Sequence, residues 1–155
     1  MTSNRSSWNR RRFLGTTIAG GAALALGPRL APAQALGAND RIRIGVVGTG
    51  GRARHLMRLL KELPGGQMVA VSDAYEPRMR EAVEIAGPAT AQHPDYRRLL
   101  DDKDVHAVLI GSPDHWHLKM AADAVAAGKD VYLEKPVSRT LEDGDALLKL
   151  SEDTK

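Results

Sequence analysis

The stretch Arg41-Ile42-Arg43-Ile44-Gly45-Val46-Val47-Gly48-Thr49-Gly50-Gly51-Arg52-Ala53 decides how the rest of the chain is read. Its first residues alternate charged and apolar, the period of a half-buried strand, and turn continuously apolar toward Val47. The six residues from Gly48 then fit G-x-G-x-x-(G/A), and Ala53, Leu56, Leu59, Leu60 and Leu63 recur at helical spacing until Pro64-Gly65-Gly66 stops them. A glycine turn between a strand and a helix is the setting in which that hexapeptide cradles a dinucleotide. Gly48 permits the tight turn, Gly50 lets the pyrophosphate approach the backbone, and Ala53 keeps helix and strand close. Thr49, Gly51 and Arg52 complete a loop whose helix N-terminus offers amides to phosphate, with Arg52 either adding charge there or staying solvated.

Outward from this turn the pattern repeats. Residues 68–72 read as a strand, a helix runs from Pro77 to Gly87-Pro88, a weak strand lies at 89–91, and a short helix covers 96–100. Residues 105–110 form an apolar strand, 118–127 an alanine-rich helix ended by Gly128, 131–133 another strand, and 141–150 a last helix. Strands alternating with helices predict an α/β fold, a doubly wound parallel sheet with right-handed crossovers and both faces covered. Asp73 closes the second strand, 25 residues beyond Gly48. An acid there accepts the adenosine ribose hydroxyls and repels a 2′-phosphate, which favours NAD over NADP. The plain alternative makes Asp73 the N-cap of the helix near Pro77.

Two more motifs follow the last two long strands, where open parallel sheets bind ligands. In Ser112-Pro113-Asp114-His115-Trp116-His117, the His-x-His pair could supply two metal ligands, but no third and fourth follow at a useful spacing. The competing reading is a cofactor-lining loop with Trp116 as apolar cover and Asp114 as a helix cap. In Glu134-Lys135-Pro136, a lysine at a strand end beside a nicotinamide could orient a substrate hydroxyl or assist proton transfer. Glu134 could bind a ribose hydroxyl or pair with Lys135, and Pro136 biases Lys135 away from helix. His55, His93 and His106 read as structural or solvated.

Composition narrows the field. The 155 residues are 26% charged and hold no cysteine, which excludes a disulfide framework, a thiolate metal site and a catalytic cysteine. The net charge is +3, yet residues 1–39 carry five arginines and no acid, so removing those five leaves −2 on residues 40–155 and no case for nucleic acid. Asn9-Arg10-Arg11-Arg12-Phe13-Leu14 resembles a twin-arginine signal, followed by a mildly apolar stretch and small-residue cleavage patterns at 31–33 and 33–35. Residues 1–35 are therefore read as a signal peptide for the twin-arginine export machinery, 36–40 as a linker, and the product as periplasmic or otherwise exported. The apolar run is too short and too rich in glycine for a stable membrane span.

With these residues in view, the chain from about Arg41 resembles the glucose-fructose oxidoreductase, inositol dehydrogenase and MocA family. The resemblance rests on 46–52, Val71-Ser72-Asp73, 112–117 and Gly128-Lys129-Asp130-Val131-Tyr132-Leu133-Glu134-Lys135-Pro136. It implies a Rossmann domain and an NAD(P)-dependent oxidoreductase that moves hydride to or from a sugar, a polyol or a derivative. Lys135 then matches the active-site lysine, Glu134 a residue near the nicotinamide ribose, Ser112 and Pro113 the cofactor-lining pair, and His117 the histidine that follows them. The resemblance further implies a sixth strand and a substrate domain. Residues 41–155 are accordingly read as an incomplete dinucleotide-binding domain, expected to bind nucleotide without full catalysis. A full-length protein of this kind could form a homo-oligomer. Two alternatives stay open, an NAD-dependent glycoside hydrolase of the same fold and a short non-catalytic NAD-binding protein.

Overall fold

The computed structural model describes residues 41–153. The signal-peptide reading of 1–35 and the linker reading of 36–40 lie outside the described residues. Five parallel strands, β1 (Ile42–Val47), β2 (Gly66–Ser72), β3 (Ala91–His93), β4 (Ala107–Ile110) and β5 (Asp130–Leu133), stand in the order β3-β2-β1-β4-β5. Their connections carry helices α1 (Gly51–Lys61), α2 (Glu76–Ala86), α3 (Tyr96–Leu100) and α4 (His117–Ala126), and α5 (Leu141–Asp153) follows β5.

Side-chain alternation sorts the core into two layers. Val47, Ala70, Val108 and Ile110 face one way and pack with Leu99 of α3 and Ala121 and Ala124 of α4. Their chain neighbours Val46, Val71 and Leu109 face the other way, onto Ala53 and Met57 of α1 and Ala82 of α2. The helices thus cover both faces, as a parallel sheet requires. The order in which strands are added reverses at β1, from β2 and β3 on one side to β4 and β5 on the other, which places the topological switch point at the end of β1, at Gly48.

Two strands begin later than their sequences suggest. The third forms at 91–93 because Thr90 first closes a turn onto the Gly87 carbonyl at 3.2 Å after the helix. The fourth starts at Ala107 because the Val105 N–H bonds back to Asp102 and the Val105 carbonyl accepts from the Lys129 ammonium at 2.7 Å. Val105 is nevertheless buried, in keeping with the apolar composition that made it read as strand. No helix among the described residues is long and apolar enough to cross a membrane.

Candidate functional site

A cleft of about 770 Å³ opens across the carboxyl ends of the strands, a size in the range of cofactor sites. Its floor is the glycine turn. Gly48 adopts φ +78°, and a Cβ there would stand 2.6 Å from the backbone of Ser112, so only glycine lets the β1 and β4 loops meet this closely. Gly50 caps α1 with extended backbone and no side-chain hydrogen bond, and the first turn of α1 holds no acid. Side chains added at Gly50 or Gly51 would meet nothing within 4 Å. The turn therefore leaves open space over the amides of a helix N-terminus, a fit for a pyrophosphate.

Asp73 does something other than cap a helix. One of its carboxylate oxygens accepts from the Thr49 N–H at 2.8 Å and from the Thr49 hydroxyl at 3.2 Å, and the other accepts from the Tyr75 N–H at 2.9 Å. The N-cap of α2 is Tyr75, which has no side-chain cap bond, so the capping reading of Asp73 is corrected. Thr49 is fully buried, and its carbonyl also accepts from Arg54 at 2.7 Å. Thr49 thus shapes the loop from beneath instead of presenting a side chain to the cleft.

Arg52, expected to face phosphate or water, forms an ion pair at 3.1 Å with Glu134 at the end of β5. Glu134 is buried and Arg52 half-exposed, so the pair spans from the glycine turn to the far end of the cleft. The reading that pairs Glu134 with its neighbour Lys135 is corrected on the same ground. Lys135 is exposed and has no ion-pair or hydrogen-bond partner among the described residues. The peptide bond from Lys135 to Pro136 is cis.

His117 sits behind the cleft. It is 2% exposed, with Nδ1 2.8 Å from the Pro136 carbonyl oxygen and Nε2 3.0 Å from that of Ser112. It lines no part of the cleft, and with both ring nitrogens engaged it cannot join His115 around a metal. Among the described residues no three His, Cys, Asp or Glu side chains gather to hold one. Asp114 lies inside a short 3-10 turn, Asp114–Trp116, and caps nothing. Of the remaining histidines, His106 accepts from the Arg43 N–H at 3.3 Å, His55 is exposed, and His93 keeps one buried nitrogen without a partner.

The structure therefore gathers Gly48, Gly50, Gly51, Arg52, Asp73, Ser112 and Pro113 around one cleft, with Trp116 at its mouth, 41% exposed. Thr49, Glu134 and His117 are buried, and Lys135 follows β5. Sequence reasoning missed the wall formed by Tyr75, Arg78 and residues 94–97. The Arg78 guanidinium stands 5.8 Å over the Tyr75 ring and has no acidic partner among the described ion pairs. Hydrogen bonds from the Arg97 side chain and then its backbone N–H hold the Asp95 carboxyl below its ordinary range. The signal for this wall was available, since residues 94–97 follow a parallel strand just as the two recognised motifs do.

The family model for Gfo/Idh/MocA proteins, described as an oxidoreductase family with an NAD-binding Rossmann fold, matches residues 42–155. Inositol 2-dehydrogenase 1 of Saccharopolyspora erythraea is 43% identical over 103 residues, 66% of this chain and 31% of that protein. A glycosyl hydrolase family 109 protein of Solibacter usitatus is 32% identical over 126 residues, 75% of this chain and 29% of that one. Among solved structures, myo-inositol dehydrogenase from Lactobacillus casei in complex with NAD(H) and myo-inositol superposes with a TM-score of 0.67 at 31% identity, over 73% of this chain and 34% of that one. The chain thus spans about a third of the length of the relatives it matches.

Proposed function

The chain belongs to the Gfo/Idh/MocA oxidoreductase family, and from that premise we propose that it is the NAD-binding part of an exported dehydrogenase acting on a sugar, a polyol or a derivative. The observation that carries the proposal is the cleft itself. Open space over Gly50 and Gly51 leads one way to Asp73 and the other way to Ser112, Pro113 and Trp116, as an extended dinucleotide needs. The Asp73 carboxylate at the adenosine end supports NAD over NADP, because a 2′-phosphate would be set beside a fixed negative charge.

A bound nicotinamide supplies a hydride acceptor for a carbinol carbon of the substrate. The amides of the glycine turn would hold the pyrophosphate, and the Ser112-Pro113 loop with Trp116 would cover the nicotinamide end. Lys135, free of competing ion pairs among the described residues, would orient the substrate hydroxyl and assist the transfer of its proton as hydride leaves the carbinol carbon. Residues 1–35 direct export through the twin-arginine route, which would carry the domain folded with its cofactor. Exchange of the Arg10-Arg11 pair for lysines, followed by fractionation, tests that part.

NADH binding is the direct test. Saturating NADH should quench Trp116 and raise the melting temperature, and no change in either would refute the cofactor reading. A second reading, redox-assisted glycoside hydrolysis with the cofactor restored each turnover, is favoured by the family 109 relative. Net NADH release from a polyol supports the first, and aglycone release without net NADH supports the second.

A further inference from the structure

We infer that His117 is a positioning residue for the far end of the cleft, tying the backbone of the Ser112-Pro113 turn to that of Lys135-Pro136. The inference rests on the cofactor reading only for what the far end does, because the tie itself is a matter of geometry. The two carbonyls that His117 meets belong to the two loops that follow β4 and β5, five and nineteen residues away in sequence. Nothing else among the described hydrogen bonds joins these two loops. The ring is 2% exposed, so water does not compete for either contact.

Chemistry sharpens the assignment. Carbonyl oxygens only accept, so both contacts are hydrogen bonds only when both ring nitrogens carry hydrogen. A ring with a lone pair on either nitrogen would keep one tie and set that lone pair against an oxygen at 2.8 or 3.0 Å. The consequence of the tie is positional. Ser112 lines the cleft, and Lys135 precedes the very residue whose carbonyl His117 holds. The ring therefore sets the spacing between the cofactor-lining loop and the lysine without touching either ligand. No described hydrogen bond joins the ring to the glycine turn or to the Asp73 end, so the two ends of the cleft should respond differently to its loss.

The experiment compares ADP, which reaches only the glycine turn and the Asp73 end, with NADH, which needs the whole cleft. The full chain carries Trp8→Phe so that Trp116 alone reports. His117→Phe keeps the ring volume and removes both ties, and His117→Gln restores a donor. The expected result is NADH binding weakened at least fivefold in His117→Phe with ADP binding unchanged, reduced energy transfer from Trp116 to bound NADH, and partial recovery in His117→Gln. Wild-type NADH affinity in His117→Phe overturns the inference, and so does an equal loss of ADP and NADH. If neither variant folds, nitrogen-15 NMR of the wild-type ring decides. Coupling across a hydrogen bond from a ring nitrogen to the Ser112 or the Pro136 carbonyl carbon is expected, and coupling to neither overturns the tie. A wild-type chain that binds neither ADP nor NADH would refute the cofactor reading, while the ring nitrogens would still decide the tie.

Discussion

Gly50→Ala separates binding from folding at the glycine turn. The residue has φ −62° and ψ 178°, backbone that any residue adopts, and an added methyl would meet nothing within 4 Å. Replacing a glycine N-cap by alanine costs about 0.5 kcal/mol, and the reduced freedom of the unfolded chain returns a similar ~0.4–1 kcal/mol. The stability change should be close to zero. In the cleft the methyl would fill the open space proposed for the pyrophosphate. Losing one amide hydrogen bond to a charged group removes about 1.5–3 kcal/mol, which weakens NADH roughly 10- to 150-fold. Gly48→Ala is the counterpart. Its φ of +78° and the 2.6 Å approach of a Cβ to Ser112 backbone put the cost in folding. That cost is about 1–2 kcal/mol for the left-handed conformation and about 1–3 kcal/mol for overpacking. Urea titration at constant m reads the stability, and Trp116 quenching reads NADH. Unchanged NADH affinity in Gly50→Ala would refute the placement of the pyrophosphate, and an unchanged urea midpoint in Gly48→Ala would refute the turn geometry.

Asp73→Ala removes the acceptor for the buried Thr49 N–H and hydroxyl, which should cost about 1–3 kcal/mol; in equilibrium binding the wild type should prefer NADH over NADPH by about tenfold or more, roughly 1.4 kcal/mol, and the variant should narrow that preference. A wild-type preference for NADPH would defeat the reading. Arg52→Ala strands the buried Glu134 carboxylate, and with Arg52 half-exposed the expected loss is about 1–2 kcal/mol. A double-mutant cycle with Glu134→Gln should recover part of it, and zero coupling would show the pair to be inert. In the cluster of Tyr96, Lys119 and Asp123, burial pushes the Asp123 carboxyl up, but hydrogen bonds from the Tyr96 hydroxyl and the Lys119 ammonium outweigh it and hold the group below its ordinary value. The folded state thus prefers the charged form. Its stabilisation is present above the unfolded value near 3.9 and is lost as pH falls through the lower folded value. Asp123→Asn should flatten that acid limb of urea stability below about pH 4, and a limb of unchanged steepness would remove Asp123 from the account.

The features legible in the sequence were those whose cause is local. The apolar runs of β1, β2 and β4 are set residue by residue and marked the strands, and the structure then sends Val46 and Val47 to opposite faces of the sheet. The glycine turn was legible for the same reason, since φ +78° at Gly48 is a demand on one residue. β3 was misplaced because Thr90, buried in a turn, is indistinguishable by composition from a strand residue. The polar residues of the motifs behaved differently. Thr49 and Asp73 find each other across 24 residues, Arg52 and Glu134 across 82, and His117 and Pro136 across 19. A motif spacing is the same whether a polar residue touches the ligand or holds the residue that does, because both roles require it at one strand end. Burial separates them. Thr49, Glu134 and His117 lie below 10% exposure, whereas Trp116 and Lys135 stand in the open. The motif residues therefore divide into an open set, placed where a ligand could reach it, and a buried set that fixes loop shape. Substitutions in the buried set should move ligand affinity and stability together unless, as at His117, the tie serves only one end of the cleft.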